Sequence, residues 1–69
     1  NRYDSVNVKN YANLAQCRLS MGKCYAELGD KDTARRCLKD VIKLNEHANE
    51  YPQIKAYYRE AYALLNRLL

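Results

Sequence analysis

Gly29 and Asp30 separate two long stretches of helix-forming sequence, and this break most limits how the chain can fold. A glycine directly after Leu28 can take the left-handed conformation that ends many helices. Asp30 can then cap the following helix by accepting a backbone hydrogen bond, and Asp32 suits the positive end of that helix. Because the connection is so short, the two helices must be antiparallel neighbours. The break therefore predicts a helical hairpin.

Apolar residues at steps of three and four predict three helices, at about 5–28, 31–48 and 52–69. Either Asp4 or Ser5 is a suitable N-cap for the first, whose early turns are free to fray or form a separate piece. The third helix starts at a proline, a residue well suited to a first helical position. We therefore expect one all-α domain, or a fragment of a longer array, in which a third helix packs on the antiparallel hairpin.

The larger apolar residues predict which face of each helix is buried. In the first helix these are Val8, Tyr11, Leu14, Met21, Tyr25 and Leu28. In the second they are Ala34, Cys37, Leu38, Val41, Ile42 and Ala48. In the third they are Ile54, Tyr57, Tyr58, Ala61, Tyr62, Leu64, Leu65 and Leu68. The third face is so wide that we expect it to pack on the hairpin and on additional chain.

Composition argues against several classes of function. The net charge of +4 is spread along the chain, and acidic residues interleave with the basic ones, unlike the uncompensated basic stripe of a nucleic-acid binder. No apolar run approaches the roughly 20 residues of a membrane span. The three cysteines, Cys17, Cys24 and Cys37, form no CxxC pair and lack a histidine at ligand spacing. We expect buried free thiols, a reducing cytoplasmic location with the nucleus as an alternative, and no metal or cofactor.

The chain also lacks the residue pattern of an enzyme. His47 is the only histidine and lies at a predicted helix end beside Glu46, where we expect an exposed side chain with a structural or incidental role. Neither Ser5 nor Ser20 has an evident base as a partner. We expect no catalysis from this segment, although a longer parent protein could carry an enzymatic domain elsewhere.

The stretch from Met21 to Asn45, MGKCYAELGDKDTARRCLKDVIKLN, resembles a tetratricopeptide repeat. The matching positions are Met21, Gly22, Tyr25, Gly29, Asp30, Ala34, Leu38 and Val41. Small residues at Gly22 and Ala34 suit helix axes that approach closely, and this explains the pattern physically. Two positions depart from the family: Arg18 replaces its large aromatic residue and Glu46 its terminal proline. The resemblance implies a non-catalytic scaffold that binds other proteins, with the third helix as a cap or the start of another repeat.

Two closer resemblances remain open. KCYAELGDKDTARRCLK is similar to repeats of the regulator-of-microtubule-dynamics family. NYANLAQCRLSMG and IKAYYREA are instead similar to repeats of large immunophilins and related co-chaperones. In that second family an Asn, a Lys and an Arg grip the acidic C-terminus of a heat-shock chaperone, and their counterparts would be Asn13, Lys55 and Arg59. Lys55 and Arg59 lie four residues apart and so project from one helix face.

The leading hypothesis places a protein or peptide partner on the concave side of such a scaffold. Six residues are the candidates for this surface: Gln16, Ser20, Lys23, Glu27, Lys55 and Arg59. One alternative is a helix-turn-helix domain that reads DNA through Arg35, Arg36, Lys39 and Lys43. Another is an oligomerisation or capping element built on Leu64, Leu65, Leu68 and Leu69.

Overall fold

A computed structural model of the chain describes residues 10–68. Within that range the chain forms α1 (Tyr11–Glu27), α2 (Lys31–Leu44), a 3₁₀ turn (Asn45–His47) and α3 (Ile54–Leu68), and no strand. The expected all-α fold, a helical hairpin with a third helix, is confirmed.

The break at Gly29 has the geometry expected of a helix end. Gly29 has a φ of 86°, in the left-handed region that a side chain would strain. The backbone N–H of Asp30 donates to the carbonyl of Tyr25 at 2.9 Å, which satisfies one of the last carbonyls of α1. The Asp30 carboxylate accepts from the backbone N–H of Thr33 at 3.2 Å and so caps α2.

The helix boundaries differ from the prediction at other points. Asn10 caps α1 by accepting from the backbone N–H of Asn13 at 3.1 Å, whereas the predicted start near residue 5 lies outside the described residues. The predicted second helix tightens after Leu44 into the 3₁₀ turn. Pro52 belongs to a turn that precedes α3 rather than to the helix, and the N–H of Ile54 donates to the carbonyl of Tyr51 at 2.9 Å.

The two helices of the hairpin lie in close contact at Gly22. A Cβ atom at this position would lie 2.7 Å from Cδ2 of Leu38 and 3.5 Å from the carbonyl oxygen of Ala34. Leu38 and Ala34 are both fully buried. Only a hydrogen atom fits between the α1 backbone and the Leu38 side chain, which is why glycine occupies a helix interior that otherwise disfavours it.

The buried face of α1 carries small residues rather than the large ones that were predicted. Its buried positions are Ala12, Ala15, Leu19 and Gly22. The predicted face is wrong for Leu28, which is 78% exposed, and its other described members are only half-buried. Small side chains let α2 and α3 pack close to the α1 backbone. The larger residues are consequently displaced toward the helix flanks and the outside.

The predicted faces of α2 and α3 agree better with the structure. Ala34, Cys37, Leu38, Val41 and Ala48 are buried, and so are Ile54 and Ala61 of α3. A second group is half-buried against this core: Tyr57, Leu64, Leu65 and Leu68. Tyr62, predicted for the same face, is 50% exposed.

Contacts at the two ends of the molecule show that the three helices run up, down and up. At one end Nη1 of Arg35, in the first turns of α2, donates to the carbonyl of Leu68 at 2.9 Å. At the other end the Tyr11 ring stacks on His47 at a centroid distance of 3.7 Å and meets Tyr51 edge-on at 6.1 Å. His47 is thus half-buried in a packing role, and the expectation that it is exposed was wrong. It follows that α1 and α3 lie parallel.

Gly22→Ala should destabilise the fold although alanine favours helices. The propensity gain is about 1 kcal/mol, whereas overpacking against Leu38 costs about 1–3 kcal/mol. In a Leu38→Ala background, which lacks both the Cδ2 and the Cγ atoms that a Cβ at Gly22 would meet at 2.7 and 2.9 Å, we expect that cost to shrink or vanish. Urea unfolding of the four proteins measures the coupling. Ser20→Ala, exposed on the same helix, is the control for propensity alone. Equal effects of Gly22→Ala in both backgrounds would contradict the close contact.

The Asp30 cap should make stability depend on acid pH. Its hydrogen bonds with Thr33 hold the pKa of the Asp30 carboxyl below the ordinary value of 3.8. A carboxyl with a lowered folded pKa stabilises the fold above its unfolded pKa, and that stability is lost as pH falls through the folded pKa. Asp30→Asn keeps an acceptor without a charge. The unfolding free energy of the wild type relative to this variant should be constant well above pH 3.8. Below that pH it should fall, because the Asp30 carboxylate becomes protonated and the wild type alone loses stability. A relative free energy that does not depend on pH would contradict the assignment.

Candidate functional site

A furrow runs between the parallel helices α1 and α3 on the side away from α2. It consists of two adjoining hollows of about 320 and 260 Å³. We call it the α1–α3 furrow and define it by its lining residues: Lys23, Ala26, Glu27, Glu60, Ala63, Leu64 and Arg67. Its edges meet where the Lys23 side chain of α1 contacts the Glu60 side chain of α3.

Charged side chains of both signs border the furrow. The Lys23 ammonium group pairs with the Glu60 carboxylate across it, and the two side chains are 48% and 50% exposed. Glu27 lies one turn beyond Lys23 on α1, and Arg67 two turns beyond Glu60 on α3. An ion pair this exposed contributes little to stability. Its partners can therefore exchange for the charged groups of a ligand at small cost.

Apolar surface forms the remainder of the furrow. Ala26 and Ala63 contribute methyl groups, and Leu64 lines both hollows while it packs against the core. This combination of a narrow apolar floor and charged edges can accommodate an extended chain that carries both apolar and charged side chains.

The structure distributes the sequence-predicted site residues over three surfaces. Lys23 and Glu27 line the furrow. Asn13, Gln16 and Ser20 lie on the outer surface of α1, away from α3. Lys55 and Arg59 are exposed on α3 and do not line the furrow, because Arg59 is displaced by about 100° around the helix from its neighbour Glu60. The side of α3 that lines the furrow carries Glu60 and Arg67, whereas the side expected from the sequence to bind a partner carries Lys55 and Arg59.

Three furrow residues of α3, Glu60, Ala63 and Arg67, were not identified from the sequence, and the fourth, Leu64, was named only for a buried face and for the oligomerisation alternative. A signal was present, because these residues recur at steps of three and four and lie on one helix flank. The pairing of that flank with Lys23 depends on how α3 is rotated against α1, and the sequence pattern does not fix this rotation.

A second surface covers the outside of α1 and forms a groove of about 840 Å³. We call it the outer face of α1. It is lined by Asn13, Leu14, Gln16, Cys17, Ser20, Met21, Cys24, Tyr25 and Leu28. None of these residues is charged at neutral pH. The expectation of buried thiols is wrong for Cys17 and Cys24, which are exposed here, and is confirmed for Cys37. Burial raises the pKa of the Cys37 thiol and so lowers its reactivity.

A third hollow, of about 360 Å³, lies where α1 meets the end of α2. Arg18 reaches Asp40 across it with Nε and Oδ2 3.6 Å apart. Nε2 of His47 lies 3.8 Å from Oε2 of Glu46. The Arg18–Asp40 pair ties α1 to α2, whereas Glu46 and His47 are neighbours within the 3₁₀ turn. The described residues that line the hollow include no serine or cysteine.

The surfaces named for the alternative functions are partly used within the fold. Among the basic residues of the candidate DNA-reading helix, Arg35 bonds the carbonyl of Leu68 and the carboxylate of Asp32. At the C-terminal end, Leu64, Leu65 and Leu68 pack against the core of the same chain, and Leu69 lies outside the described residues.

In the part of the chain that the structure describes, no group of three or more His, Cys, Asp or Glu side chains is arranged to hold a metal ion. None of the described helices is both long and apolar enough to span a membrane. Comparison of the chain with protein-family models, with curated proteins and with solved structures finds no match.

Proposed function

We propose that the chain is a non-catalytic protein–protein interaction module of the tetratricopeptide type, and that it binds an extended peptide in the α1–α3 furrow. The observation that carries the proposal is the parallel placement of α1 and α3 over α2, with the charged and apolar furrow between them. The contact of Gly22 with Leu38 and Ala34 supports the repeat-like register of the hairpin, since small residues occupy the positions that the resemblance implies.

Recognition in the furrow depends on exchange of the Lys23–Glu60 pair. A peptide carboxylate displaces Glu60 from Lys23, and Arg67, at the far end of the furrow, binds a second one. Arginine can contact a carboxylate through two parallel hydrogen bonds, while lysine contributes a mobile point charge. Leu64 contacts an apolar side chain between the two anions. The preferred ligand is therefore an acidic peptide that also carries an apolar residue.

The co-chaperone resemblance supports a competing location for the same class of ligand. There Lys55 and Arg59 would bind the acidic C-terminus of a heat-shock chaperone together with Asn13. Both cations are exposed and lie one turn apart on α3, so they present charge to one surface. The furrow and this clamp use different residues, which makes them separable by mutation.

Three double variants that each remove two positive charges separate the possibilities. Lys23→Ala with Arg67→Ala alters the furrow, Lys55→Ala with Arg59→Ala alters the clamp, and Arg36→Ala with Lys39→Ala alters exposed residues of α2. The ligand is a fluorescent acidic peptide with a free C-terminal carboxylate and one leucine, and the readout is the anisotropy titration. The furrow variant should lose about tenfold or more in affinity for each charged contact that is removed.

The matched variants measure the general effect of net charge, since all three lose the same two charges. Circular dichroism confirms that each variant keeps its helices. A loss confined to the Lys55 and Arg59 variant would move the site to the clamp. Equal losses in all three variants, or no binding by the wild type, would contradict a specific peptide site.

A further inference from the structure

Helix α1 has two apolar faces, and among residues 10–68 the packing of the other helices covers only one of them. Ala12, Ala15 and Leu19 pack in the core of the chain. On the opposite side a row of five apolar side chains follows the outer face: Leu14, Cys17, Met21, Cys24 and Leu28. Their steps are three, four, three and four residues, the a and d spacing by which one helix packs against another. The row extends about 21 Å along the helix axis.

This row is open to solvent over much of its length. Leu28 is 78% exposed, Cys17 and Cys24 are exposed, and Leu14 and Met21 are half-buried. A lone exposed leucine needs no explanation, but a continuous apolar row at helix-pairing spacing indicates a contact surface. The spacing also indicates the shape of what covers it, which is another α-helix.

The chemistry at the edges of the row indicates which helix that is. In a chain where 29% of residues are charged, all nine residues of the outer face are uncharged. Arg18, whose Nη1 donates to Sδ of Met21 at 3.4 Å, borders the row, and its charge is paired with Asp40. A face paired with its own copy sets identical groups near one another, so charges of one sign would repel. Asn13, Gln16 and Ser20 at the edges each contain both a hydrogen-bond donor and an acceptor, so they can bond to their own counterparts. The face is therefore complementary to itself.

We propose that two copies of the chain associate through the outer faces of their α1 helices. The apolar row of one copy packs against the row of the other, with the amide and hydroxyl groups around the edge. The centre of the row lies about 140° around α1 from Lys23. Each copy consequently keeps its α1–α3 furrow open, and the pair presents two such furrows. This inference is independent of the proposed peptide site, because the two surfaces share no residue.

Leu28→Lys tests the pairing with little risk to the fold. Leu28 is largely exposed and follows the last turn of α1, where a positive charge is favourable. Tyr62→Lys is the matched control, since Tyr62 is the other large apolar residue that is exposed in the described chain, and it lies on α3. Sedimentation velocity over a range of concentrations should show a monomer–dimer equilibrium for the wild type. Leu28→Lys should raise its dissociation constant about tenfold or more, while Tyr62→Lys leaves it unchanged.

The exposed cysteines provide a second readout in the unmodified chain. As concentration rises and dimers form, alkylation of Cys17 and Cys24 should slow, because both thiols belong to the paired row. Cys37 is the internal reference, since it is buried in each copy at every concentration. A wild-type chain that stays monomeric at all concentrations would overturn the proposal, and so would a dimer weakened equally by both lysine variants.

Discussion

The contact between Gly22 and the Leu38 side chain determines how the rest of the molecule is arranged. Because no Cβ separates them, the α1 backbone comes within van der Waals distance of the α2 core residues. The small residues Ala12 and Ala15 continue this close approach along α1. Because α1 and α2 lie so close together, α3 can pack against both of them at once, beside α1 and over α2.

Both candidate surfaces follow from that arrangement. With small residues turned inward, α1 has room for Lys23 and Glu27 on the flank that faces α3, where they meet Glu60 and Arg67. The larger apolar side chains are turned outward and form the row that ends at Leu28. One helix thus supplies a core face, a charged flank and an apolar outer face. A single amphipathic pattern does not describe such a helix.

The sequence predicted the elements well because their signals are local. Gly29 and Asp30 mark a helix end and a cap, and both perform those functions. In α2 the apolar residues form one stripe, so the buried face was predicted from spacing alone. In α1 the largest apolar residues were assumed to be the buried ones. That assumption failed because a close helix contact selects small residues, and Leu28 was left outside.

The candidate site was less predictable, because it depends on how one helix is rotated against another. Lys23 was identified from its position on the first helix, but its partner Glu60 follows from the packing of α3, which buries Ala61 in the same core as Val41 of α2. If α3 were rotated about its axis by about 100°, the angle between successive residues, Arg59 would lie opposite Lys23 in place of Glu60. That is the side of α3 that was expected from the sequence to bind a partner. Spacing along a helix identifies which residues share a flank and leaves open which flank a neighbour covers.

The close contact between α1 and α2 is tested most directly by the nuclear Overhauser effect between the α-protons of Gly22 and the δ-methyl protons of Leu38. The two groups are close enough that a Cβ at Gly22 would lie 2.7 Å from Leu38 Cδ2. The close hairpin should give a strong cross-peak here, together with one between Lys23 and Glu60 side-chain protons. A folded, helical chain in which the Gly22–Leu38 cross-peak is absent would contradict the close hairpin, and with it the furrow and the outward row of α1.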